Sequence, residues 1–495
     1  MTKGNILTTF AGSPEPVNSA VAPKTSAGPS QESGIEQFGY VQELKRKLKF
    51  SDLLIYGLIF MVPIAPFAIF GSVFQASGGM VALAYIVGMF AMMCTANSYS
   101  QMAQAFPMSG SVYTYVGRGI TRVLGFIAGW MILLDYVLIP ALLYLAAAIA
   151  MNGMLPSIPL WIWLVAFILL NTVVNYFGIE FTAKVNKIML ILELIVLGIF
   201  LVIGLVAVAN GRGNGLSLSA FFDPATFSWP LIFGAVSVAV LSFLGFDGIS
   251  TLAEENSGTS KSLGRSMIVA LLLVGVLFVV QTWVAAMLVP HPADLIKNGD
   301  PNGVAFYQAA AQAGGPFLFI LTAAATAVAW GFANALVAQA ATSRLLFAMS
   351  RDRQLPKFLS KIDPKRGVPV NATFVVAGIS LALGLYLCWL PNGLAEIATL
   401  VNFGALTAFS LLNVAVIWWF MVRQKSRRWF LHLVVPLLGF VILIAVIWNA
   451  SLSAQVLGFV WLAVGIIVGF ILLKSGRMSD PTSTNDALSV PTETA

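Results

Sequence analysis

A long apolar span interrupted at its centre occurs twice in this chain, from Ser51 to Ala76 and again from Pro230 to Asn256. The first interruption reads Met61-Val-Pro-Ile-Ala-Pro66 and the second Ser242-Phe-Leu-Gly-Phe-Asp-Gly248. Hydrocarbon tolerates freed backbone groups only where protein or a wet cavity satisfies them. Two interrupted helices at matching places therefore point to a binding site near the membrane midplane, the pattern of a solute transporter.

Composition sets the class. Of 495 residues 59% are hydrophobic and 9% charged, and the mean hydropathy is +0.89, which a water-soluble fold cannot cover with polar surface. A crossing takes about 20 apolar residues. Twelve such stretches begin near Leu53, Val81, Val123, Leu160, Ile188, Leu231, Met267, Phe317, Ala372, Leu394, Leu431 and Ala454, so an all-α integral membrane fold is expected. With the N-terminus in the cytoplasm, all of the 27 Lys and Arg except Arg212 and Lys297 fall on the cytoplasmic side. Hence the net charge of +7 reflects membrane topology, not nucleic-acid binding, and a multi-pass protein of the cell's inner (plasma) membrane with both termini cytoplasmic is expected.

Residues 1–40 are rich in Ser, Pro, Gly and Ala and read as a disordered cytoplasmic tail rather than a signal peptide. The transporter domain is expected over 41–475, with a second disordered tail at 476–495. Lys45, Arg46, Lys47 and Lys49 form a basic collar suited to anionic headgroups of the lipid bilayer. Cys94 and Cys388 lie within apolar spans and read as free thiols. His291 and His432 fall at opposite membrane faces, so no metal site is expected. No G-x-x-x-x-G-K-[ST] loop is present, which removes nucleotide-driven transport, and Gly211-Arg-Gly-Asn-Gly215 reads as a turn. No cofactor is expected, and nothing points to an enzyme.

Ionisable residues inside apolar spans are costly and are functional candidates by default. Asp135, Glu193 and Asp247 stand out. Asp247 lies between Gly245 and Gly248 in the second break, where withdrawal from water favours the neutral acid and brings proton exchange toward neutral pH. A structural acid capping the unwound backbone is the equal alternative. Glu193, in Ile188-Met-Leu-Ile-Leu-Glu-Leu-Ile195, has no basic neighbour nearby and reads as a coupling residue or as a hydrogen-bonded structural acid. Asp135 follows the small-xxx-small pair Gly125 and Gly129 and reads as a structural tie between helices. Glu254 and Glu255, near Lys261 and Arg265, read as a solvated charge cluster. Phe243 and Phe246 flank the second break and either pack in the core or close over a cationic or apolar substrate. Trp161 and Trp163 fit an interfacial belt, while Trp330, Asn334, Asn402 and Phe403 are weaker pocket candidates.

At these residues the chain resembles the amino acid, polyamine and organocation transporter superfamily, and within it the bacterial putrescine importers. The resemblance spans about Leu44 to Leu473. It is carried by Gly57-Leu-Ile-Phe-Met-Val-Pro63 with Phe70-Gly71, by Ser109-Gly-Ser-Val-Tyr-Thr-Tyr115, and by Leu133-Leu-Asp-Tyr136. Ser242 to Gly248 with Glu254-Glu255, Ser343-Arg-Leu-Leu-Phe-Ala-Met349 with Arg351-Asp352, and Asn402-Phe-Gly-Ala405 complete it.

The resemblance implies an inverted 5+5 helix repeat of the leucine-transporter type plus two C-terminal helices, with substrate held between the broken first and sixth helices and access alternating around it. It implies an importer of a small amine or amino acid driven by protons. Candidate substrate-binding residues are then Pro63, Ile64, Ala65 and Ala68 in the first break, Ser242, Phe243, Gly245, Phe246 and Asp247 in the second, and Asn402. Asp247 and Glu193 are the proton-coupling candidates, and Tyr113 falls in a segment tied to uptake and gating. This chain departs from the putrescine importers at Ala68, where they carry Asp, and from many amino acid transporters in having Pro63 to Pro66 in place of a Gly-rich break. Glu193 stands where relatives often have Lys or a neutral amide. A nutrient-binding membrane sensor and a passive channel are the alternatives. Short tails without a recognisable module tell against the first, and broken helices against the second.

Overall fold

A helix satisfies all its backbone groups within one segment, and helices occupy each of the apolar stretches marked above. The computed structural model describes residues 46–108, 111–155, 157–177, 179–300, 303–351, 355–364, 366–390 and 393–475. The tails expected at 1–40 and 476–495, Lys45 of the collar, and Ser109, Gly110 and Asp352 of the resemblance lie outside the described residues.

The first span is split into α1 (Phe50–Met61) and α2 (Pro66–Ala76), bent by 55° between them. Then come α3 (Val81–Ala105), the short α4 (Ser111–Gly119), α5 (Arg122–Met154), α6 (Leu160–Phe177) and α7 (Ile179–Ala209). The second split span is α8 (Trp229–Ala239) continued by 3-10 turns at Val240–Phe243 and Phe246–Leu252. It is followed by α9 (Ser260–Leu288), the short α10 (Pro292–Asn298), α11 (Ala305–Val328), α12 (Ala335–Arg351) and α13 (Val370–Cys388). The last helices are α14 (Gly393–Val416), α15 (Val435–Trp448) and α16 (Leu452–Lys474). Eleven described helical segments are long and apolar enough to cross a membrane, and the bent α1 and α2 pair makes up to twelve.

Helix starts follow side-chain chemistry. Thr121 caps α5 by accepting from Leu124 N at 3.3 Å, Thr259 caps α9, and Ser228 caps α8 ahead of Pro230. Pro66 opens α2, where a missing N–H costs nothing. α11 kinks at Gly314 and Gly315, the latter at φ 65°, just before Pro316.

At both breaks freed backbone groups find partners. At the first, Ala65 N donates to Val62 O at 2.8 Å and Phe67 N to Ile64 O at 2.9 Å. The Pro63 carbonyl accepts from the buried Gln281 amide of α9 at 2.9 Å. At the second, Gly248 N donates to Gly245 O at 3.0 Å, and the Thr251 hydroxyl donates to the Gly248 carbonyl at 2.6 Å. The breaks lie side by side. Gly245 has φ 110°, and a Cβ there would come within 2.7 Å of the Phe60 ring of α1; one on Gly248 would also collide with Phe60.

α3 packs on α9, α5 on α14, and α4 on α5. The last contact uses the small residues: a Cβ on Gly125 would collide with the Gly117 backbone, and one on Gly129 would sit 3.0 Å from the Tyr113 ring. α15 and α16 turn Leu437, Val441, Val460, Ile467 and Phe470 outward, an apolar surface suited to lipid.

At the end of the bundle that carries the basic clusters, the segment before α1 is stitched to the end of the second split span. Lys47 N and Leu48 N both donate to Glu255 O at 3.0 Å, and Ser257 N donates to Leu48 O at 2.9 Å. Glu254 and Glu255, expected to be solvated, are instead 1% and 7% exposed. Arg344 pairs with Glu255 at 2.8 Å and Arg351 with Glu254 at 3.3 Å. Their partners come from α12, about ninety residues away, rather than from Lys261 and Arg265 nearby.

Candidate functional site

The second break aims one acid at a ring of hydroxyls. Asp247 is 0% exposed, and its Oδ2 accepts from the Tyr136 hydroxyl of α5 at 2.7 Å. The Ser111 hydroxyl of α4 and the Tyr99 hydroxyl of α3 lie 3.4 Å and 3.5 Å from the same oxygen, and 3.1 Å from each other. Thus α3, α4, α5 and the turn Phe246–Leu252 converge on one carboxylate oxygen. Oδ1 has no hydrogen-bond partner among the described residues. Asp135, one residue before Tyr136, is buried within electrostatic range of Asp247. Its Oδ1 also lacks a partner among the described residues, so that atom ties no helices together. A buried acid that keeps an unused lone pair beside donors can hold or release a proton with little rearrangement.

A vestibule of about 1200 Å³ opens at the end of the bundle opposite the basic clusters. Its walls come from α2, the outer halves of α5 and α8, α11 and the residues just before it, the end of α13, α14 and the loop between α15 and α16. Ala68 and Asn402 of the expected binding set line it, as do Phe403 and Cys388. Its volume exceeds that of a pocket closed around a small ligand.

The rest of the expected set lies elsewhere. Ile64 and Ala65 are buried at the first break, and Pro63 is engaged by Gln281. The Ser242 hydroxyl pairs with Tyr85 at 3.0 Å. Phe243 is packed between Tyr85 and Phe278, and Phe246 between Tyr99 and Phe409, so both rings fill the core and neither faces the vestibule. Tyr113 is buried on α4 against Gly129. Glu193 is buried on α7, with neither carboxylate oxygen bonded among the described residues. Trp330 and Asn334 are buried in a π-helical turn, Ala329–Asn334, away from the vestibule. No group of His, Cys, Asp and Glu suited to a metal occurs among the described residues.

Tyr99 and Gln281 carry no signal in the sequence, and Ser111 stood inside the Ser109–Tyr115 motif without a role. Tyr136 likewise stood inside Leu133–Tyr136 without a role. Hydroxyl and amide residues are ordinary in membrane helices, and only the fold shows which of them meet a carboxylate or a freed carbonyl.

Residues 52–473 match the family model described as amino acid permease. The chain belongs to that family. Similar proteins align over nearly the whole permease. The low-affinity putrescine importer PlaP of Escherichia coli K12 is 31% identical over 89% of this chain and 96% of its own length. The branched-chain amino acid permease BcaP of Bacillus subtilis is 29% identical over 87% and 93% respectively. The methylthioribose transporter of the same organism is 25% identical over 87% and 94%. The family is one of transporters within the amino acid, polyamine and organocation superfamily, not of catalytic enzymes.

Proposed function

We propose that this permease is a secondary active importer of a small amine or amino acid, coupled to protons and working by alternating access. The observation that carries this reading is the juxtaposition of the two helix breaks. They sit at one level against Phe60, with Asp247 and its hydroxyl ring behind them and a vestibule open at one end. At the other end the Glu255–Arg344 and Glu254–Arg351 pairs close the bundle. An open end and a sealed end around a central break describe one state of an alternating-access cycle.

Element order supports the inverted repeat. The series of broken span, long helix, short helix leading into a long helix, and two more spans runs from α1 to α7. It recurs from α8 to α14, with the first limb of α11 standing where α4 stands, and α15 and α16 are left over. The distribution of Lys and Arg supports a cytoplasmic position for the end with the ion pairs and an outward-facing vestibule. Putrescine and branched-chain amino acids, named for the relatives, bracket the substrate class. In this reading Asp247 carries the proton, since it is buried behind the break rather than facing the vestibule, and Glu193 is a second coupling acid.

The test is uptake of labelled putrescine and leucine into proteoliposomes with and without an imposed pH gradient. The wild type accumulates one of them against its gradient, and Asp247→Asn abolishes the proton-linked part. Wild-type accumulation by that variant would remove Asp247 from the mechanism. Equilibration without accumulation by the wild type would overturn active transport.

A further inference from the structure

One acidic side chain lines the vestibule among the described residues. Among its described lining residues Asp300, in the loop between α10 and α11, is the only Asp, Glu, Lys, Arg or His. Gly299, Asp300 and Gly303 of this loop lie against a single face of α2. Ala68, Gly71 and Gln75 recur there at helical spacing, a Cβ on Gly71 would collide with the Asp300 side chain, and one on Gly299 would collide with Gln75. The glycine notch at Gly71 thus receives the acid.

The carboxylate is held without being used up. Its two oxygens accept from Val304 N at 3.0 Å and Ala305 N at 2.9 Å, at the start of α11. Each oxygen keeps a further lone pair. Nearby, the buried Tyr307 lines the same cavity within electrostatic range of Asp300. On α14, Asn402 is 6% exposed and donates its amide N–H to Ser237 O at 2.8 Å, which leaves Oδ1 without a partner among the described residues. Both Asp300 and Asn402 therefore offer acceptors to a ligand that donates. No basic side chain among the described lining residues answers the charge, and the walls are largely apolar, an arrangement that focuses the field of a single acid.

We propose that Asp300 is the specificity-determining carboxylate of the vestibule, binding the ammonium group of a cationic amine substrate before it reaches the helix breaks. The inference rests on the transport reading and narrows its substrate class. A zwitterionic amino acid brings its own carboxylate toward Asp300, whereas an amine cation brings only attraction and lays its hydrocarbon body on the apolar walls.

The experiment uses the full chain in right-side-out vesicles and measures equilibrium binding and uptake of labelled putrescine and leucine. Asp300→Asn and Asp300→Ser are compared with the wild type, since both replacements retain an acceptor for the start of α11. Both variants are expected to raise the Kd and KM for putrescine about tenfold and to leave leucine unchanged or improved. Putrescine binding to the wild type weakens with added salt, this dependence flattens in the variants, and 1,4-butanediol does not compete. Unchanged putrescine binding in both variants, an equal loss for both ligands, or no putrescine binding by the wild type overturns the proposal. Asp300-dependent putrescine binding without accumulation of either ligand upholds the site and instead overturns the transport reading.

Discussion

At the scale of single residues, the permease places a few acids where water is excluded and decides their chemistry through the donors around them. The Tyr136 hydroxyl makes the shortest contact to Asp247, at 2.7 Å. A hydrogen bond to a charged group is worth about 1.5–3 kcal/mol. Tyr136→Phe is therefore expected to lower proton-linked uptake roughly tenfold or more while the protein stays folded; an unchanged rate in proteoliposomes would show that this donor is idle. Glu193→Gln is expected to shift the pH profile of uptake, because both oxygens of that buried acid lack protein partners among the described residues; superimposable wild-type and variant profiles would exclude it from coupling. Asp247 and Glu193 were legible in the sequence because charge in an apolar run is rare and expensive. The hydroxyl ring was not, because Tyr99, Ser111 and Tyr136 come from three different helices and share no local pattern.

At the scale of elements, the two breaks were readable from Pro63, Pro66, Gly245 and Gly248, residues that interrupt a helix by lacking an N–H or a Cβ. What the chain does with the freed groups was not readable. The Pro63 carbonyl is met by Gln281, 218 residues later. Gly245 does more than break a helix: at φ 110° with Phe60 behind it, it has no room for a side chain. Gly245→Ala is expected to cost about 1–3 kcal/mol through overpacking and backbone strain. Thermal unfolding in detergent followed by size exclusion measures this, with partial recovery expected on adding Phe60→Leu. A variant as stable as the wild type would mean that the breaks do not press on each other as closely as described.

At the scale of the whole molecule, a vestibule opens at one end of the bundle and the Glu255–Arg344 and Glu254–Arg351 pairs stand at the other. The free cysteines report on this state: Cys388 lines the vestibule and Cys94 is buried in α3. A membrane-impermeant maleimide added to the outside of cells is expected to modify Cys388 and to spare Cys94, so labelling persists in Cys94→Ser and disappears in Cys388→Ser. A transported substrate that drives closure slows the labelling. Labelling that survives Cys388→Ser and disappears in Cys94→Ser would contradict the open vestibule.

The sequence by itself determined that this chain crosses a membrane many times, where each crossing lies, and that two crossings are broken, because hydrophobicity, proline and glycine act locally and need no partner. Tertiary structure alone decided which groups meet across the breaks. Glu254 and Glu255 looked solvated beside nearby bases, yet they are buried against Arg344 and Arg351 of a distant helix. For Phe243 and Phe246 the sequence left core packing and closure over a substrate both open, and the rings pack against Phe278 and Phe409. Asp300 carried no signal in the sequence and is the one Asp, Glu, Lys, Arg or His among the described lining residues of the vestibule because its packing against Gly71 of α2 brings it there. Charge pairing and cavity lining depend on distance in space, and a linear pattern carries that information only for residues within a turn or two of one another.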